Sequence, residues 1–207
     1  MPQLAIVTTP ASRASALASD GRVRRGERSG QAIVEALLEL VGKGMLEPTA
    51  QQVAAQAGVG IRTVFRRFSD MESLFAEMST RMQVEAFPLL LGGRQRDALD
   101  ERARELVGRR VAFFERIAPY KRAANLRRWR SPYLRSRHAE LVRVLRADLV
   151  RTLPELRRAP DGVVNALELA TSFETWDRLR TEQRLGRERA HAAVERIVLG
   201  LAAELRR

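Results

Sequence analysis

Pro48–Phe68 reads PTAQQVAAQAGVGIRTVFRRF, and its punctuation decides the fold. Thr49 is a strong N-cap, and Gln52 three residues later completes a capping box. Pro48 cannot sit inside a preceding helix. Val53, Ala54 and Ala57 then recur at helical spacing, with Gln51, Gln52 and Gln56 off that face. Gly58 stands where a helix ends in a left-handed residue. A second helix starts near Gly60, with Val64, Phe65 and Phe68 expected to point inward. Small alanines, a glycine turn and bracketing apolar residues are what two short helices need to cross closely. This is the pattern of a helix-turn-helix, whose second helix enters a DNA major groove.

The outward side of that second helix carries Ile61, Arg62, Thr63, Arg66 and Arg67. Arginine forks match guanine edges and phosphates, and threonine or isoleucine can meet a phosphate or a thymine methyl. A solvated basic hairpin would show any one of these features. The ordered combination favours DNA.

Residues 29–78 resemble the DNA-binding domain of the tetracycline-repressor (TetR) family of bacterial transcription regulators. The resemblance is carried by IVEALLELVGKGM, then T-x-x-x-V-A-x-x-A-G-V, then T-V-F-x-x-F and S-D-x-E-x-L-F. It implies that Thr49 meets a phosphate and that Ile61, Arg62, Thr63, Phe65 and Arg67 lie at base edges or backbone, with Arg66 beside them. Three positions depart from the family pattern. Gly60 replaces a Ser or Thr cap, Phe65 replaces a Tyr, and Met71 replaces a Lys that contacts phosphate.

Composition sets the outer bounds. The 207 residues carry a formal charge of +12, which points to an anionic partner through phosphate neutralisation. All but two of the basic residues are arginine, the exceptions being Lys43 and Lys121, so the placement of arginines says more than their number. A non-specific, arginine-rich nucleic-acid-binding protein is the alternative that charge alone supports. With no cysteine there is no thiolate metal site or disulfide framework. No run approaches a membrane span, and Leu4–Val7 is too short for a signal-peptide core, so a cytoplasmic protein without membrane contact is expected.

Along the chain the pattern predicts an all-α protein of about nine helices. Residues 1–26 read as a mostly disordered basic arm, either touching DNA or simply solvated. The helix-turn-helix domain is expected over 27–88. Its first helix runs from about Glu27 to Gly42, and its fourth is launched by a capping box of Ser69 and Glu72. Residues 89–207 form the second domain, opening on a linker over 91–97. Helices are expected over 98–117, 120–130 and 132–153, with Pro119 and Pro132 as breaks. Two more run over 161–185, capped by Asp161, and 187–205.

The resemblance implies that this second domain binds a small-molecule effector and dimerises through its last two helices. Phe113, Phe114, Trp129, Tyr133 and His138 are the candidate pocket residues, each equally readable as core or surface. Leu169, Phe173, Trp176, Val194, Ile197 and Leu201 are the candidate dimer interface, with Phe173 and Trp176 also readable as intrachain core. A homodimer suits the physics, since a twofold pair reads two half-sites about 34–36 Å apart. His138 and His191 have no ligand partners at metal spacing, and no nucleophile elbow or phosphate-binding loop is present. No metal, no cofactor and no enzymatic activity are therefore expected.

Overall fold

The computed structural model describes residues 10–91 and 97–206, with side chains from residue 26 onward. All regular structure among the described residues is helical. The chain divides into two compact units, Met1–Met78 and Ser79–Arg207, ten residues before the expected boundary.

The first unit is built on α1 (Pro10–Gly42), α2 (Ala50–Gln56), α3 (Ile61–Arg67) and the start of α4 (Met71–Ala86). Helix α1 begins at Pro10 rather than near Glu27, so the stretch 10–26 is helix where a disordered arm was expected; residues 1–9 lie outside the described residues. Ile33, Val34, Leu37 and Val41 form its buried stripe, joined by Val53 and Ala54 of α2, Val64 of α3 and Leu74, Phe75 and Met78 of α4.

Helix α1 ends at Gly42, as the pattern predicts, and Gly44 (φ +97°) closes it. Gly44 N–H donates to Val41 O at 2.9 Å and Met45 N–H to Leu40 O at 3.0 Å, the paired bonds of a Schellman cap. Helix α4 is capped by Asp70 instead of Ser69, with Ser73 N–H donating to Asp70 Oδ1 at 2.7 Å. Both are good N-caps, and the chain takes the one that lets Leu74 and Phe75 reach the core.

The second unit centres on α6 (Leu99–Arg128), with α5 (Pro88–Leu91), α7 (Pro132–Thr152), α8 (Asp161–Ala170), α9 (Phe173–Thr181) and α10 (Arg187–Ala202) around it. Two 3₁₀ turns, Pro154–Arg157 and Ala203–Arg206, complete the set. The linker residues 92–96 lie outside the described residues.

Helix α6 runs straight through Pro119, where a break was expected. Proline there forfeits a backbone bond and costs about 3 kcal/mol or more in a helix interior. Ile117, Ala118 and Ala123 are all buried around it, so packing on both sides holds the helix together. Tertiary burial overrides the local signal.

The helix expected over 161–185 is interrupted instead. Thr171 Oγ1 turns back onto Leu167 O at 2.8 Å, and Ser172 restarts the chain by accepting Thr175 N–H at 3.2 Å. Asp161 is the first residue of α8 and makes no side-chain cap. Buried Arg110 donates to Thr171 O at 3.1 Å, to Leu145 O and to Asp148 Oδ2 at 3.3 Å. Burial draws its pKa down to about 10, with Asp148 opposing. Phe113, Phe114 and Phe173 stack nearby, with 5.7 Å between successive ring centroids.

Candidate functional site

The geometry of the helix-turn-helix follows from its caps. Gln52 N–H donates to Thr49 Oγ1 at 3.2 Å while Thr49 N–H donates to Gln52 Oε1 at 2.8 Å, the reciprocal box expected from the sequence. At the other end of α2, Gly58 adopts φ +64°. Gly58 N–H meets Ala55 O at 3.2 Å and Val59 N–H meets Ala54 O at 3.0 Å, a second Schellman cap. Gly60 supplies the extended residue before α3 without a side-chain cap. Gln56 Nε2 donates to Glu39 Oε2 at 2.6 Å, tying α2 to α1.

This frame buries Val64 and turns the rest of α3 outward. Ile61 is 44% exposed and Phe65 49%, while Arg62 and Arg66 are exposed and Thr63 is half-buried. Phe65 was expected inward on helical spacing. It lies instead on the open side, which agrees with the role the resemblance gives that position.

Arg67 is held differently from its neighbours. The space a Cβ at Gly30 would occupy lies 3.2 Å from Arg67 Nε and Nη2, and that at Gly26 lies 3.5 Å from Nη1. The guanidinium therefore lies across a glycine-floored notch on α1. Thr49, at the start of α2, is exposed beside its cap partner. The outward set is thus Thr49, Ile61, Arg62, Thr63, Phe65, Arg66 and Arg67, the last also lying against the first helix.

In the second unit a cavity of about 60 Å³ opens among α4, α6 and α7. Phe113 and His138 line it; Phe114, Trp129 and Tyr133 do not. Phe114 is buried in the core, and Trp129 is 77% exposed with the Arg128 guanidinium over its ring at 5.3 Å. Tyr133 is exposed, its hydroxyl 3.1 Å from Thr80 Oγ1.

The polar wall escaped the sequence reading: Lys121, Arg128, Arg137, Tyr120, Asn125 and Gln83. Lys121 Nζ sits 2.8 Å from His138 Nδ1 and 2.9 Å from Asn125 Oδ1. Burial lowers the Lys121 pKa to about 8. Burial and then the Lys121 charge lower His138 to about 4, so the imidazole is neutral and accepts through Nδ1. One signal for Lys121 was available, as it is one of only two lysines in a chain that otherwise uses arginine.

The residues singled out on the last helices divide. Leu169 is 63% exposed and Ile197 46%, whereas Phe173, Trp176 and Val194 are buried within the chain. Leu201 is partly buried against the same core. Trp176 Nε1 donates to Glu115 Oε1 at 3.1 Å, and Arg180 Nε reaches the same oxygen at 3.0 Å, which fixes the indole inside.

Among the described residues no cluster of three metal-ligating side chains occurs, and no helix is long and apolar enough to cross a membrane.

Residues 33–78, spanning the capped helices and the outward face of α3, match the family model described as bacterial regulatory proteins, tetR family. The first unit thus carries the DNA-binding domain of the TetR family. Its fold as a whole is shared with solved structures. A transcriptional regulator from Rhodococcus sp. RHA1 superposes with a TM-score of 0.62 at 16% identity, covering 86% of this chain and 96% of that one. A TetR-like transcriptional regulator from the same organism gives 0.57 at 16% identity, covering 86% and 96%. No curated protein matches the sequence. A domain of this type implies a DNA-binding regulator.

Proposed function

We propose that this TetR-family regulator binds a palindromic operator as a homodimer, acts as a repressor, and is released by a small molecule that occupies the cavity of its second unit. The observation that carries the reading is α3, which buries Val64 and leaves Ile61, Arg62, Phe65 and Arg66 open. Arg62 reads a base edge, Thr49 and Arg66 meet phosphates, and Arg67 positions α3 from its notch on α1 as well as reaching backbone.

The dimer forms through the faces of α8 and α10 that carry Leu169 and Ile197, the large apolar residues left exposed there. Ser79, Met82 and Gln83, from the second half of α4, line the cavity, while Leu74, Phe75 and Met78 from its first half belong to the core of the head. An effector packed on one half of this continuous helix therefore acts on an element both units share. It need only bind one state better than the other to shift DNA affinity. The protein works in the cytoplasm, without catalysis or cofactor.

The test is anisotropy on a duplex selected from random sequence and on its scrambled counterpart, at several salt concentrations. The proposal expects an inverted repeat to emerge and to bind at least a hundredfold more tightly than the scramble at physiological salt. Equal affinity for both, with a steep salt slope, would establish the non-specific polyanion binder that the net charge of +12 also allows.

A further inference from the structure

We propose that the cavity takes a small carboxylic acid with an apolar body, its carboxylate held by the Lys121 ammonium. The inference rests on reading this cavity as the effector site, and it names the chemistry of the effector.

Three cations line the cavity, and no Asp or Glu does. One of the three, Arg137, is paired with an acid. Arg137 donates to Glu140 Oε2 at 2.6 Å and to Gln83 Oε1, and Arg128 lies over the Trp129 ring. Lys121, like Arg128, has no carboxylate partner among the described residues. Its hydrogen-bond partners, Asn125 Oδ1 and His138 Nδ1, are neutral, and its remaining contact is the Phe173 ring at 5.8 Å.

The acids that feel this ammonium from α9 are Glu174 and Asp177, and neither lines the cavity. Asp177 is bound to Arg122 at 2.6 Å, and Glu174 is exposed. A part-buried ammonium with only neutral acceptors is poorly compensated for the water it has lost. A carboxylate supplies the missing charge, and a charge-assisted hydrogen bond is about twice as strong as a neutral one.

The rest of the wall fits the other end of such a molecule. Met82, Phe113, Ile117, Leu134 and Leu141 are apolar, and the neutral imidazole of His138 adds no charge. At about 10–15 Å³ for each water, the 60 Å³ cavity has room for a single-ring or short-chain acid. Lys121, Arg128 and Arg137 together repel a cationic ligand.

The experiment uses the full-length protein in calorimetric titrations with benzoate, phenylacetate and hexanoate, each paired with its amide, and with benzylamine. At pH 7 at least one acid should bind tenfold or more tightly than its amide, and benzylamine should not bind. Lys121→Met should weaken that acid about tenfold or more and leave its amide unchanged. The variant should melt no lower than the unaltered protein, since a cation with no carboxylate partner is removed. Acid affinity should also fall as pH rises through about 8, where Lys121 loses its proton, while amide affinity stays level.

Amides binding as well as acids, a preference for the amine, or no acid binding at all would overturn the proposal on the unaltered protein alone. The effector reading fails separately. An acid that binds without changing operator affinity sinks that reading and leaves this one. An operator released only by neutral or cationic compounds does the reverse.

Discussion

On the proposed reading Thr49 has two duties that substitution can separate. Its hydroxyl caps α2 through Gln52 N–H at 3.2 Å, and it is exposed where a phosphate would approach. Thr49→Ala should cost about 1 kcal/mol of stability, the usual worth of such a cap, and should weaken operator binding as well. Thr49→Asp keeps a good cap but places a negative charge at the phosphate. Urea unfolding should find it near the parent, while anisotropy should find DNA binding reduced. A parent-like operator affinity for the aspartate variant would remove Thr49 from the DNA contacts. His138 makes a different prediction. Its folded pKa of about 4 lies below the ordinary 6.5, so between these values the unfolded chain binds more protons and stability falls as pH is lowered. His138→Gln should flatten that part of the melting-temperature profile relative to the parent between pH 6.5 and 4. Parallel profiles would mean that the imidazole is not held neutral by Lys121.

Among the elements, α2 and α3 were legible almost residue by residue because their signals are local. A capping box, a left-handed glycine and a helical apolar stripe each involve atoms within four residues, and all appear where the sequence placed them. Phe65 was misjudged because helical spacing alone cannot tell the rim of the buried face from its centre. Pro119 and the 161–185 helix failed for the opposite reason. Helix α6 continues through a proline because Ile117, Ala118 and Ala123 are buried by distant elements. The break at Thr171–Ser172 is met by Arg110, sixty-one residues away in sequence. The cavity wall was the least legible part, since Lys121 and His138 meet only when α6 and α7 pack. Gly58 is the element-scale test. With φ +64°, a β-branched side chain there is strained by about 1–2 kcal/mol, so Gly58→Val should lower the stability of the head and weaken DNA binding. Gly58→Asn, which tolerates the left-handed region, should do so far less. Equal losses in the two variants would show that backbone conformation is not what the glycine supplies.

For the molecule as a whole, the proposed specificity depends on pairing two heads. A single recognition helix contacts only a few base pairs, and a twofold partner doubles the site without a new reading element. The proposed seam is chemically narrow: Leu169 and Ile197 lie open, while Phe173, Trp176 and Val194 beneath them are committed to the chain's own core. Ile197→Glu with Leu169→Arg should therefore yield a folded monomer by sedimentation velocity, its melting temperature little changed, with operator affinity lowered a hundredfold or more. A variant that remains dimeric would move the interface elsewhere. The most direct test of the central claim, that the open face of α3 reads sequence, is anisotropy of the parent and Arg62→Ala on the selected inverted repeat and its scramble. The account predicts that discrimination between the two duplexes shrinks by roughly 1–3 kcal/mol per half-site while scramble binding barely changes. Unchanged discrimination, with affinity for both duplexes falling together, would contradict it.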